Sequence, residues 1–474
     1  MTSRDLPRPS VVILVADGVR PDTLAGAMDA GALPALAQLR AEGGLHQVTT
    51  VFPSVTGPAY APFLMGRYPG PIGLPALRWF DRQRTATGFP HRTRSYVGSE
   101  MRKVDRDLDP TAPTIFELAT LSLAALSVIG RGLAPQQREG NSLSFAVRAA
   151  RTHFSGNVRG WLDIDRDIGA IIARRIAAER PPFTFCALTG IDKTSHAFGH
   201  GSPFVVDAMK IVDETAAQIR RDAERDGRWA TMQLWIVSDH GHSPVRDHDD
   251  LASLFRSWKL GVRAHPWVLA PGHDIGVMVS GNAMAHLYFD LRSAQLRPWS
   301  ALPNKWEAFA TRVLERPSVD LMLLPLGTGI SEIRSRDRGT ARIVEHEGRF
   351  SYRPLSGDPL GVGAHESLSA TEAFDATIDS DYPDAIVQIA TLLGSPRSGE
   401  MILSAARNWD FRGNWEPIPH VSSHGALHRE HMMVPLLLNR AASHLPRRTV
   451  DIMPSALAAL GIAAPSRLDG SSYF

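Results

Sequence analysis

Apolar residues along this chain fall into short unbroken runs, and each run ends on or leads to a polar group. VVILVA (residues 11–16) stops at Asp17, and QVTTVF (47–52) leads to Thr56. FTFCALTG (183–190) leads to Asp192, and MQLWIVS (232–238) stops at Asp239 and His240. Continuous β-rich runs without period-two alternation are the pattern of strands buried on both faces. Between them the pattern changes to amphipathic helices, at 33–41 (LPALAQLRA), 167–179 (DIGAIIARRIAAE) and 203–221. This alternation predicts an α/β fold with a mainly parallel sheet. In such sheets the ligand site lies beyond the carboxyl ends of the strands, which is where the polar groups named above fall.

Two segments break the alternation. Residues about 80–165 are rich in Arg, Gly and Ser and read as helices and loops laid over the core. Residues 246–415 carry short strand runs (AHLYFD, VDLMLLP, ARIVEH, RFSYRPL) and helical ones (NKWEAFATRVLER, DAIVQIATLLG), the pattern of a smaller inserted α+β cap. The core resumes at HMMVPLLLN and closes on the helix of DIMPSALAALG, so residues 1–245 and 416–474 are expected to form one catalytic core.

Composition narrows the function classes. With 43% apolar and 21% charged residues, the 474-residue chain can bury a large core and is not a disordered segment. Lys plus Arg less Asp plus Glu is 51 − 49 = +2, so no charge excess points to a nucleic-acid polymer or a membrane surface as partner. The single cysteine, Cys186, excludes an intramolecular disulfide and sits in a run that predicts a buried strand. The first apolar run ends at Asp17 with no small-residue cleavage site after it, which marks a core strand and not a secretory leader. The stretch 118–129 is too short to cross a bilayer. Cytoplasmic residence is the expectation, with export lacking a visible signal left open. Oligomeric state is not indicated.

The polar groups at the strand ends define the candidate chemistry. Alone, FPSVTGPAYAPFLMGRYPG (52–70) reads as a loop turning into a helix, with Thr56 as its cap and Pro58 inside the first turn. GIDKTSHAFGHGSP places Asp192 and His196 four residues apart, on one side of a helical turn. SDHGHSP supplies Asp239 and His240 before Gly241, with His242 as an outer hydrogen-bond donor or surface residue more than a ligand. SSHGALHRE supplies His424, with His428 and His431 nearby. Asp17, Asp239 and His240 make one three-ligand set, and Asp192, His196 and His424 another. Mixed nitrogen and oxygen donors suit zinc, and two neighbouring ions with a free hydroxyl between them suit displacement at phosphorus.

Taken together, VVILVADGVRPDTL, PSVTGPAYAPFLMGRYP, GIDKTSHAFGHGSP, SDHGHSP and HVSSHGALHREHMMVPLLL resemble the alkaline phosphatase superfamily, in its type I phosphodiesterase/nucleotide pyrophosphatase branch. The resemblance covers roughly residues 10–80, 180–245 and 420–470, and the ending RTVDIMPSALAALGIAAPSRLDGSS looks like the superfamily's terminal helix and closing L-D-G-x-S. It implies a three-layer α/β/α sandwich, two Zn2+ per chain and a small phosphate ester as substrate. It makes Thr56 the nucleophile of a covalent phospho-threonine intermediate. It puts Asp17, Thr56, Asp239 and His240 on one zinc and Asp192, His196 and His424 on the other. The amides of Gly57 and Ala59 are then candidate donors to the phosphoryl oxygens. One departure concerns specificity. Where nucleotide pyrophosphatases carry an Asn in N-x-M-Y-D, this chain has Leu77, with Arg78 beside it as a candidate phosphoryl contact. The paired Lys and Arg motif of Thr-dependent monoesterases and the sulfatase C/S-x-P-x-R are absent. The implied activity is a two-zinc phosphodiesterase or pyrophosphatase; the alternatives are a phosphomonoesterase, a C–P bond hydrolase and a metal-retaining binder of phospho-ligands. Substrate choice is expected from residues 80–165 and 246–415.

Overall fold

The computed structural model describes residues 7–82, 93–97, 99–265, 272–293, 296–413, 416, 418 and 420–474, so parts of the 80–165 and 246–415 segments lie outside it. Its centre is a seven-stranded sheet in the order Leu45–Thr49, Met433–Leu438, Met232–Val237, Ser10–Ala16, Phe183–Leu188, Leu123–Ala125, Arg138–Glu139. Ser10–Ala16 lies parallel between Phe183–Leu188 and Met232–Val237. Met433–Leu438 runs antiparallel to both of its neighbours. The sheet is therefore mainly parallel, as the apolar runs predict. The start of the reversed strand comes to the edge where the other strands end.

The central strand explains the layering. Val11, Ile13 and Val15 pack to one side with Tyr60, Phe63, Phe116, Ile452 and Leu457. Val12, Leu14 and Ala16 pack to the other with Leu36, Ile172, Val212 and Ile219. Successive side chains of a strand point to opposite faces, so a fully apolar strand requires cover on both. Helices Pro34–Gly43, Val158–Glu179 and Pro203–Arg225 cover the second face, and Ala61–Met65, Ile115–Leu118 and Ile452–Leu460 the first. Each buried aliphatic stabilises this three-layer α/β/α sandwich by roughly 1.5–3 kcal/mol relative to exposure. Cys186 is buried in Phe183–Leu188, where loss of water pushes its thiol up.

The segment 80–165 differs from its sequence reading. Besides helices and loops it supplies Leu123–Ala125 and Arg138–Glu139, the two parallel strands at one end of the central sheet. At three and two residues they are too short for a periodicity to register.

The runs of 246–415 form a second, nine-stranded sheet, antiparallel apart from its first pair. Helix Ala385–Leu393 binds this region to the central sheet. Asp384, just before it, accepts two bonds from Arg448, at 2.7 and 2.6 Å. Gln388 accepts from the Phe52 amide and donates to the Thr50 carbonyl. A helix of the second region thus holds the backbone that leads to Thr56. A third, three-stranded sheet joins Asn408–Asp410, Ser243–His248 and Ser422–Ser423. Among the described residues, no helix is long and apolar enough to cross a membrane.

Candidate active site

Asp17 follows directly on Ala16 at the carboxyl end of the central strand and is buried. Thr56 stands seven residues beyond Leu45–Thr49, and it is the one residue of 51–65 that is not fully buried. Its Oγ1 lies 3.3 Å from Asp17 Oδ1 and 3.2 Å from His240 Nε2. The capping role expected for Thr56 is not what the chain builds. Gly57 holds the cap position of a three-residue 3-10 helix, Pro58–Tyr60, and no side chain caps it. Gly57 has φ +96°, and a Cβ there would lie 3.0 Å from the Tyr96 ring, so only glycine turns the chain here and releases the Thr56 hydroxyl. The Ala59 amide donates to the Val55 carbonyl and is not free for a ligand. The helix that follows, Ala61–Met65, has only five residues.

Asp192 and His196 do share one side of a helix, Gly190–Phe198. Its start is capped from outside, because Asp165 of Val158–Glu179 accepts the Thr189 and Gly190 amides at 3.1 and 2.6 Å. Asp239 and His240 follow Met232–Val237. Their turn enters Ser243–His248, which pairs with Ser422–Ser423, so His242 and His424 leave adjacent strands side by side.

Two foci result. Around the first, His240 Nε2 is 3.3 Å from Asp17 Oδ1 and 3.7 Å from Asp239 Oδ2, with Thr56 Oγ1 beside them. Around the second, Asp192 Oδ1 is 3.1 Å from His196 Nε2, 2.9 Å from His242 Nε2 and 3.6 Å from His424 Nε2. The His240 and His424 rings stack 3.6 Å apart between the foci. All seven residues expected at the site are thus brought together, and His242, buried and turned inward, joins them.

The electrostatics suit a cation. Three buried carboxylates, Asp17, Asp192 and Asp239, share one lysine among the described residues, Lys193, whose Nζ is 2.6 Å from Asp192 Oδ2. Burial works against ionisation of Asp192, but the charges of His196 and Lys193 hold its carboxyl well below the usual range. Burial and the neighbouring Asp17 push Asp239 up to about 8, and Asp239 Oδ2 has no hydrogen-bond partner among the described residues. Burial opposes a charge on His240, yet Asp239 and Asp17 raise it to about 9. Outward acceptors orient the rings. Nδ1 of His196 faces the Ser422 carbonyl, that of His424 the Ser54 carbonyl and that of His240 the Gly241 carbonyl. A carbonyl only accepts, so each Nδ1 carries its hydrogen and each Nε2 is turned to the foci, as metal-binding imidazoles require. Asp192, His196, His242 and His424 could hold one ion; Asp17, Asp192 and His240 form a second close set, with Thr56 Oγ1 and Asp239 Oδ2 next to His240.

The rim holds the remaining residues. Arg78 is buried and donates to the Val279 carbonyl. It lines a small cleft with His265, Val279, Phe411 and Glu416. Leu77, in the place of the family Asn, is partly buried against the apolar core. His420 stacks on His196 at 4.3 Å and bonds to Asn282, which also bonds to Glu416. His428 is 2.9 Å from Glu430, and His431 bonds to Ser243 and the Ala426 amide, so both support the turn. The sequence reading missed His420, four residues before His424, an interval that on an extended segment puts both side chains on one face, where both rings meet His196.

The sequence profile of the family described as type I phosphodiesterase / nucleotide pyrophosphatase matches residues 11–427. The GPI ethanolamine phosphate transferase 1 of Neurospora crassa is 34% identical over 101 residues, which is 19% of this chain and 10% of that transferase. Among solved structures, murine ectonucleotide pyrophosphatase/phosphodiesterase 5 superposes with a TM-score of 0.58 at 15% identity, covering 98% of both chains. The phosphonoacetate hydrolase of Sinorhizobium meliloti 1021, in complex with phosphonoformate, gives 0.57 at 16% identity and 96% of both. At these identities the superpositions speak for the fold.

Proposed function

The chain belongs to the type I phosphodiesterase / nucleotide pyrophosphatase family, and we propose that it is a two-zinc hydrolase of phosphoric diesters or pyrophosphates that works through Thr56. What supports this reading is the Thr56 hydroxyl, the one partly exposed group in a buried stretch, set 3.3 Å from Asp17 and 3.2 Å from His240. Asp17, Thr56, Asp239 and His240 would hold one zinc, and Asp192, His196 and His424 the other. The chemistry supplied by bound zinc is a lowered pKa for the threonine hydroxyl and neutralisation of charge on the phosphoryl oxygens.

The residues of the chain account for the rest. Asp17 and His240 fix the direction of Oγ1, and Gly57 gives it access. The Thr56 oxygen gives up its proton and attacks phosphorus in line. The bond to the leaving oxygen breaks, and that oxygen departs with the electron pair and takes up a proton. Water then attacks the phospho-threonine, releasing phosphate or a phosphomonoester and restoring the hydroxyl. The Gly57 amide is the donor left for a phosphoryl oxygen, since that of Ala59 is spent. Arg78 belongs on this reading to the leaving-group side, in the cleft with His265 and Glu416.

The test is a comparison of bis(p-nitrophenyl) phosphate, p-nitrophenyl phosphate and a phosphonate ester with zinc-loaded protein. Preference for the diester supports the proposal. Preference for the monoester or the phosphonate places the activity elsewhere on the same fold. Turnover of none of the three removes the enzymatic reading.

A further inference from the structure

His242 is hydrogen-bonded in a way that leaves one of its nitrogens facing a carboxylate. Its Nδ1 lies 3.2 Å from Ser422 Oγ. The proton of that hydroxyl is already committed, because Ser422 Oγ donates to the Ser243 carbonyl at 2.9 Å. Ser422 Oγ can therefore only accept from His242, which puts the ring hydrogen on Nδ1. The lone pair of Nε2 then points at Asp192 Oδ1, 2.9 Å away. Two electron pairs at that distance repel unless a cation lies between them or the ring takes a second proton.

The three neighbouring histidines have the same orientation, with Nδ1 turned outward to an acceptor and Nε2 turned inward. His242 differs only in that its acceptor is a hydroxyl whose own proton is engaged elsewhere. The ring is closely bounded on one side. A Cβ on Gly18, the residue after Asp17, would lie 2.9 Å from His242 Nε2, so the chain keeps a glycine at φ +77° where the imidazole passes. The donor distances fit one ion as well. Bonds of about 2.0–2.1 Å in a tetrahedron place neighbouring donor atoms about 3.3 Å apart. The separations from Asp192 Oδ1 to the three Nε2 atoms, 2.9, 3.1 and 3.6 Å, bracket that value.

We propose that His242 is a fourth protein ligand of the ion held by Asp192, His196 and His424, making that site a closed Asp–His–His–His set. This rests on the metal-binding part of the reading above but not on its choice of substrate. Four protein ligands leave a tetrahedral ion no vacant position, whereas three leave one. The other set, Asp17, Thr56, Asp239 and His240, would also supply four protein ligands, and the two sites would differ in that only the Thr56 side includes the reacting hydroxyl.

Cobalt(II) is the probe, added to the metal-stripped full-length chain. Wild type should bind about two cobalt ions per chain with the intense visible bands of tetrahedral cobalt. His242→Ala should weaken one of the two by more than about 100-fold and lose part of those bands. Ser422→Ala, which removes only the outer acceptor, should cost no more than the 10–100-fold typical of an outer partner. His242→Cys should regain binding and show a new near-ultraviolet thiolate-to-cobalt charge-transfer band, a signal that a misfolded or merely supporting position does not give. Unchanged cobalt binding in His242→Ala, or no thiolate band in a cobalt-loaded His242→Cys protein, overturns the assignment and leaves His242 as an imidazolium donor to Asp192. Failure of the wild type itself to bind metal would count against the two-zinc reading as a whole.

Discussion

The Thr56 hydroxyl stands 3.2 Å from Nε2 of His240, the residue at which a strand 184 positions later in the chain turns back. That contact is long-range in sequence and short-range in chemistry, and it makes the hydroxyl replaceable without loss of the surrounding set. Thr56→Ala should reduce turnover of the preferred ester by at least about a thousandfold. Its zinc content, read by elemental analysis, should stay close to the about two per chain expected of wild type, because Asp17, Asp239 and His240 remain. An active Thr56→Ala protein would remove Thr56 from the role of nucleophile.

Removal of metal should cost stability as well as activity. Without an ion, Asp17, Asp192 and Asp239 remain buried together with Lys193 as their bonded cation among the described residues. Chelation should abolish turnover and lower the thermal midpoint, and added zinc should restore both. Full activity in a preparation shown to hold no metal would exclude the two-ion site.

Asp165 touches no candidate ligand, but it caps the helix that carries two of them by accepting the Thr189 and Gly190 amides. Asp165→Ala should destabilise the chain by about 1–2 kcal/mol, the range for a lost helix cap, as measured by the urea midpoint. It should also weaken metal binding at the Asp192–His196 focus, while Asp167→Ala on the exposed side of the same helix should do neither.

His286 offers a pH test away from the metals. In the buried strand Met284–Phe289 its Nε2–H donates to the Pro75 carbonyl and its Nδ1 accepts from the Gly399 amide. Burial pushes its pKa down to about 3 from 6.5. As pH falls below 6.5 the unfolded chain takes up this proton first, so the stability the neutral ring supplies is complete above pH 6.5 and is lost as pH drops toward 3. The contribution is about 1.4 kcal/mol per pH unit over that window. Urea titrations at pH 7, 6 and 5 should show a shallower decline in His286→Gln than in wild type. Equal slopes would show that this ring does not set the acid limb.

The site was more legible in the sequence than its surroundings. Asp17 stood out because an apolar strand stops at it, and Asp192 and His196 because a four-residue interval on a helix is unambiguous. His242 was not legible, because residues at a turn have no fixed side. Its direction is decided by the pairing of Ser243 with Ser423, 180 residues later. Local capping rules named Thr56 where the backbone uses Gly57, since the left-handed turn at 57 leaves no trace beyond the glycine itself. Leu123–Ala125 and Arg138–Glu139 escaped notice because strands of three and two residues carry no period.

Gln388 and Asp384 have a bearing on how such chains can be recombined. Gln388 grips the backbone at Thr50 and Phe52, four residues short of the hydroxyl, while Asp384 is locked to Arg448. A chimera that exchanges this region for that of another protein must bring its own equivalents of both residues. Without them the loop bearing Thr56 would lose its anchor even with every candidate ligand intact, so this region and the Thr56 loop must be exchanged as a unit.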